Sequence, residues 1–178
     1  MRNNKLIFKK GFTLIELIVA LGVFMVVMTM TLSAFLNIID IQKKTEAFRK
    51  VNDNLNFAME AMMREIREGK GYCQSSCAAT GTFNFTNKDE KTVNYRLNAE
   101  HIERQVPSQS AEWLMLTSDG IEITNLSFFV RGEETYASGD RQQPLVIISI
   151  GGESGEKEKL KSSLYLQATI SQRKLDSQ

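Results

Sequence analysis

Residues 17–36 read LIVALGVFMVVMTMTLSAFL, twenty positions without a charge. As a helix this run spans about 30 Å, the thickness of a bilayer's hydrocarbon core. Thr29, Thr31 and Ser33 are its hydroxyls, and a helix satisfies such groups by bonding them back to its own carbonyls. Ahead of the run lie Arg2, Lys5, Lys9 and Lys10, with no acid. A basic segment followed by an apolar one is an export or insertion signal. Three readings are open. The first is a secretory signal peptide cut after the apolar run, where Thr31-Leu32-Ser33 offers small residues. The second is an uncleaved anchor. The third turns on the residues just before the run, Lys9-Lys10-Gly11-Phe12-Thr13-Leu14-Ile15-Glu16. An acid in a membrane helix costs about 2.5–3.5 kcal/mol at the centre and less near an end. A signal peptide or simple anchor gives no reason to place Glu16 there. Its plainest structural reading is an interfacial side chain reaching toward headgroups.

The helical pattern continues beyond the run. Ile41, Phe48, Val51, Leu55, Met59, Met62 and Ile66 fall on one face, opposite Lys43, Arg49, Lys50, Asp53, Glu60, Arg64 and Glu68. The spacing predicts one helix from Phe12 to about Glu68, stopped by Gly69 and Gly71. Met59, Met62 and Met63 read as core packing at helical spacing. From Gly81 onward the period changes to two. Strands are expected at 82–86, 92–97, 101–106, 113–117, 121–130, 145–150 and 162–171, with 151–161 as a charged surface loop. The expected class is α+β: one long N-terminal α-helix packed on a mostly antiparallel sheet.

Cys73 and Cys77 follow the helix end. In an oxidising compartment such a pair bonds and would staple the helix exit. A five-residue loop closed in this way stabilises by only about 2 kcal/mol. Two thiols without a nearby histidine make half a zinc site, and the CxxxC spacing differs from that of a redox CxxC.

The stretch KKGFTLIELIVAL, residues 9–21, resembles the leader and cleavage site of type IV pilins and of the pseudopilins of type II secretion. The resemblance implies cleavage between Gly11 and Phe12 by a prepilin peptidase, and N-methylation of Phe12. It implies that Glu16 acts in assembly, pairing with the N-terminus of a neighbouring subunit. Removing the leader takes away four cations and frees an α-amine of pKa about 7.7–8.0. That cation and a carboxylate 4 Å apart attract by about 1 kcal/mol in water and by about 4 at an effective dielectric of 20. The implied layout is a leader at 1–11, a transmembrane and filament-core helix at 12–39, an amphipathic helix at 40–69 and a β-rich domain at 70–178. Four cations flank each side of the span, so charge does not orient it. The resemblance places the leader in the cytoplasm, the span in the bacterial inner membrane and the C-terminal domain in the periplasm or outside the cell.

The second half, TVNYRLNAEHIERQV followed by LVIISI and LYLQATISQRKL, resembles minor pseudopilins of the J type and minor pilins of the W type. Tyr95, Arg96, Leu97 and Arg104 stand where that group carries a Tyr-Arg-Leu strand and an Arg-bearing strand. The implied function is a minor structural subunit that initiates or tips a pseudopilus or pilus. Its implied partners are other minor and major pilin-like subunits and an inner-membrane assembly platform. The alternative is a competence or adhesion minor pilin binding DNA or a surface through its sheet.

The 178 residues are 42% hydrophobic and 24% charged, a globular composition. The net charge is +1, and without the leader 18 basic side chains face 21 acidic ones. No basic field for nucleic acid is expected. His101, between Glu100 and Ile102, reads as a surface histidine. Glu100, Glu103 and Glu112 have no nucleophile or ligand cluster around them in sequence. Asp89-Glu90 and Asp119-Gly120 read as turns, and Gly152–Gly155 lacks the context of a phosphate loop. No enzyme activity, cofactor or metal is expected.

Overall fold

A computed structural model describes residues 11–73, 81–132, 142–155 and 157–173. The chain divides into two compact units, Met1–Gln42 and Lys43–Gln178, and one helix, α1 (Leu14–Glu68), contributes to both.

In the first unit α1 carries its apolar side chains on all sides. Leu14, Leu17, Phe24, Met28, Leu32 and Phe35 are each more than half exposed. Length and composition suffice for this helix to cross a membrane. Its hydroxyls are internally satisfied. Thr29 donates to the Met25 carbonyl at 2.7 Å, Thr31 to Val27 at 2.8 Å and Ser33 to Thr29 at 3.0 Å. No donor is left bare on the apolar surface by these three residues, which is the condition a bilayer imposes.

In the second unit the helix buries a stripe made of Ala47, Val51, Leu55, Ala58, Met59, Met62 and Ile66. Two members of the predicted stripe are corrected. Ile41 and Phe48 are exposed, and Ala47 and Ala58 sit in the core instead. A helical period marks a face, but the sheet decides which turns of that face are covered, and small side chains fit where it approaches closely. Met63 packs against the core from its edge. The helix stops where expected: Gly69 lies against Phe85, whose ring would stand 2.5 Å from a Cβ there. Gly71 then takes the left-handed φ of 64° that a tight helix exit requires. Lys70 pairs with Thr86, carrying the chain onto the first sheet.

That sheet is an antiparallel meander in the order β1 (Thr82–Thr86), β2 (Thr92–Asn98), β3 (His101–Gln105), β4 (Leu114–Met115). The second sheet is the antiparallel set β5 (Glu122–Arg131), β6 (Leu145–Ser154), β7 (Ser162–Ser171). The Ile123 N–H donates to the Glu100 carbonyl at 2.9 Å, and Phe83 of β1 stacks on Phe128 of β5 with centroids 4.2 Å apart. Phe83, Phe85, Tyr95, Ile102, Val146, Ile148, Ile150 and Ile170 close one core with the helical stripe. Each such side chain contributes about 1.5–3 kcal/mol by leaving water.

The architecture is α+β, with one long helix packed on antiparallel sheets, as the change of period predicts. Two strands differ from expectation. The predicted loop at 151–161 is in part strand, since β6 runs to Ser154. Gly151 lies beneath the Tyr165 ring, 2.4 Å from where its Cβ would stand, and Gly152 faces Leu55. These glycines serve close packing inside a strand, not a turn. The strand predicted at 113–117 narrows to Leu114–Met115, because Thr117 leaves the ladder to accept the Ile102 N–H at 3.2 Å.

Candidate functional site

Two places gather the residues singled out in the sequence. The first precedes and opens α1. Gly11, Phe12 and Thr13 are exposed and lie ahead of the helix. Phe12 is 84% exposed, and a Cβ at Gly11 would meet nothing within 4 Å. The Gly11–Phe12 peptide is therefore exposed in this structure. Thr13 caps the helix: its Oγ1 accepts the Glu16 N–H at 3.3 Å, and its carbonyl accepts the Leu17 N–H at 3.2 Å. Glu16 lies in the first turn, where the helix dipole favours an anion by about 0.3–1 kcal/mol. The Thr-x-x-Glu spacing of a capping box was present in the sequence and signals this start. Glu16 thus has a local role in opening the helix as well as the intersubunit role that the resemblance implies.

The second place is in the unit from Lys43 onward. Register sets Tyr95 of β2 opposite Arg104 of β3, and both converge on Glu65 of α1. Arg104 donates through Nε to Glu65 Oε2 at 2.9 Å and through Nη2 to Oε1 at 2.6 Å. The Tyr95 hydroxyl donates to Glu65 Oε2 at 2.6 Å. This bidentate pair is about a quarter exposed on each side, so the charge-assisted bonds are partly shielded from water. The Glu65 hydrogen bonds hold the Arg104 guanidinium even more firmly protonated than usual. Burial, then the Glu65 charge, push the Tyr95 hydroxyl well above its ordinary value. Glu65 was not singled out in the sequence. Its position one residue before buried Ile66 reads as an edge of the helix stripe, and only the fold shows what it faces.

Arg96 sits on the opposite face of β2. Its Nε donates to Glu103 Oε2 at 2.7 Å, and its guanidinium lies 3.9 Å from the Trp113 ring centroid. Desolvation pulls the Glu103 carboxyl upward, but the hydrogen bonds from Arg96 and Asn98 prevail and hold it below the usual carboxylate range. Leu97 pairs with Ile102. His101 is half-buried at the start of β3 with Nδ1 3.5 Å from the Thr117 hydroxyl, less exposed than a surface histidine would be. Cys73 directly follows the helix exit and its N–H donates to the Asn84 carbonyl at 2.8 Å. Cys77 lies outside the described residues. Among the described residues no three His, Cys, Asp or Glu side chains are grouped as a metal ion would need. A cleft of about 630 Å³ is lined by Lys43, Glu46, His101, Asp119, Glu122 and Glu153, among others.

A family model described as the prokaryotic N-terminal methylation motif matches residues 8–32. No curated protein and no solved structure matches the chain with significance.

Proposed function

We propose that this chain is a type IV pilin-like structural subunit, cut by a prepilin peptidase between Gly11 and Phe12 and methylated on Phe12. The observation that carries the reading is an open Gly-Phe peptide directly ahead of a capped helix with Glu16 in its first turn, inside the matched methylation motif. Residues 12–39 form the membrane and filament-core helix, 40–69 the amphipathic helix of the exported part, and 70–178 the sheet domain. The subunit is a minor one, similar to the J-type pseudopilins or the W-type pilins, and initiates or tips a short filament. Tyr95, Arg96, Leu97 and Arg104, in their sequence order, support that finer reading. Its partners are other pilin-like subunits and an inner-membrane assembly platform, and its sheet domain lies beyond the inner membrane. A Cys73–Cys77 bond staples the helix exit.

The role of Glu16 follows from the chemistry of the cut. Hydrolysis leaves an ammonium on Phe12 at neutral pH in part of the molecules. A carboxylate in the first turn of a neighbouring helix attracts that ammonium more strongly as water is excluded, although desolvation subtracts from the gain. Pairing between neighbours favours a staggered register of helices. Glu16→Gln tests this. The variant is expected to be cut at Gly11 like the parent, and to fail to crosslink to its neighbours in sheared filaments. Normal incorporation of Glu16→Gln would remove the assembly role from this side chain.

A further inference from the structure

The cleft of about 630 Å³ lies wholly in the unit from Lys43 onward, and small-ligand sites run to about 300–1,000 Å³. Helix α1 gives it one wall, with Lys43, Glu46 and Lys50 on successive turns. The β2–β3 turn and the segment entering β5 give a second wall, with Glu100, Asp119 and Glu122. Lys157 and Lys161, beyond β6, stand on a third. Some of these charges cancel: Lys50 pairs with Glu46 at 3.7 Å and Lys161 with Glu153 at 2.9 Å. Others do not. Among the described residues, the side chains of Lys43, Lys157, Glu100 and Asp119 form no ion pair. The two free acids share the sheet wall and the two free bases stand on the others, so the cleft keeps opposite charges apart. Its walls are tied in place. Ala99 and Glu100 both take a left-handed φ, of 45° and 67°, uncommon for residues with side chains, and the Glu100 carbonyl accepts the Ile123 N–H at 2.9 Å. The Ser154 hydroxyl donates to the Gly120 carbonyl at 2.6 Å, and the Ser162 hydroxyl to the Lys44 carbonyl at 3.2 Å.

We infer that this cleft takes a zwitterion that joins a primary ammonium to a phosphate, and that its source is the ethanolamine headgroup of a membrane lipid. The inference rests on the membrane span of the reading above. The ammonium donates to the Glu100 and Asp119 carboxylates, and the phosphate accepts from Lys43 and Lys157, all of them charge-assisted bonds. A purely anionic ligand fits less well. Five carboxylates and four lysines line the cleft among the described residues, so it carries no net positive field. A quaternary ammonium, as in choline, has no N–H for the acids to accept. Lys43 follows Leu36, the last residue of the uncharged run, by seven positions, a reach of at most about 25 Å. An inserted span therefore keeps the cleft near the headgroup layer. The resulting effective concentration offsets the weak affinity of so small a ligand.

The test is native mass spectrometry of the full chain, taken from its native cells into detergent and titrated with lipid. Phosphatidylethanolamine should be retained about tenfold more than phosphatidylcholine, and more than phosphatidylglycerol. Glu100→Gln with Asp119→Asn should lower its retention about tenfold, to the phosphatidylcholine level, as loss of two charge-assisted acceptors does. Lys157→Gln, at an exposed position off the strands, should lower it likewise if the double variant fails to fold. Millimolar phosphoethanolamine should displace the lipid. Equal retention of the ethanolamine and choline lipids, a preference for phosphatidylglycerol, or variants that hold lipid like the parent would overturn the inference. Free phosphoethanolamine bound without any retained lipid would overturn the lipid as its source. The same spectra give the mass of the chain. With Phe12 as the first residue, any of these results sinks the cleft alone. A chain that does not begin at Phe12 sinks the pilin-like reading, whatever lipid it holds.

Discussion

Glu65 receives a guanidinium and a phenol from two strands, and its removal leaves both without their shared acceptor. Glu65→Ala or Arg104→Ala is expected to cost about 1–2 kcal/mol, toward the lower end of partly buried pairs because water still reaches the site. The full chain in detergent should show a lower denaturant midpoint with an unchanged slope. Tyr95 adds a pH dependence whose sign is fixed. Its folded hydroxyl is held above the unfolded value, first by burial and then by the Glu65 charge. That contribution is present in full below about pH 10, the unfolded value, and is lost as pH rises beyond it. Thermal unfolding followed into alkali should therefore show a steeper fall for the parent than for Tyr95→Phe. Parallel curves would remove Tyr95 from the account. Glu103 acts with the opposite sign. Its lowered carboxyl contributes stability above about pH 4.3, and that contribution is lost in acid. At this scale the sequence was half legible. Tyr95 and Arg104 stand out as residues, whereas Glu65 is one acid among several on α1 and gains meaning only from register.

At the scale of elements, the long helix was legible because its signals agree. The apolar run, the 3.6 period of the second half and the glycines at 69 and 71 all point to the same span. The extent of burial was not, since Phe48 continues the period yet stays exposed while Ala47 is covered. Strand β6 shows a second limit. Gly151 and Gly152 read as a loop because glycine weakens a strand, but here the missing side chains admit Tyr165 and Leu55. Gly151→Val should therefore displace the Tyr165 ring and destabilise the fold by about 1–3 kcal/mol. Thermal unfolding reports the loss, and an unchanged midpoint would show that the ring swings away freely. Leu55→Ala, at the centre of the buried stripe, should cost about 2–5 kcal/mol.

For the whole molecule, the two units present opposite surfaces. Residues 14–41 of α1 expose apolar side chains on every side, while the unit from Lys43 onward closes its own core. Length and composition suffice for that helix to cross a membrane, and the motif matched at residues 8–32 is described as one of N-terminal methylation. The central claim is the cut ahead of the helix, and the most direct test is the N-terminal mass of the membrane-bound protein from its native cells. The account predicts a chain beginning at Phe12 with one added methyl group on its amine. A chain beginning near Ala34, or an intact Met1, would contradict it and leave Glu16 only its place in the first turn of the helix.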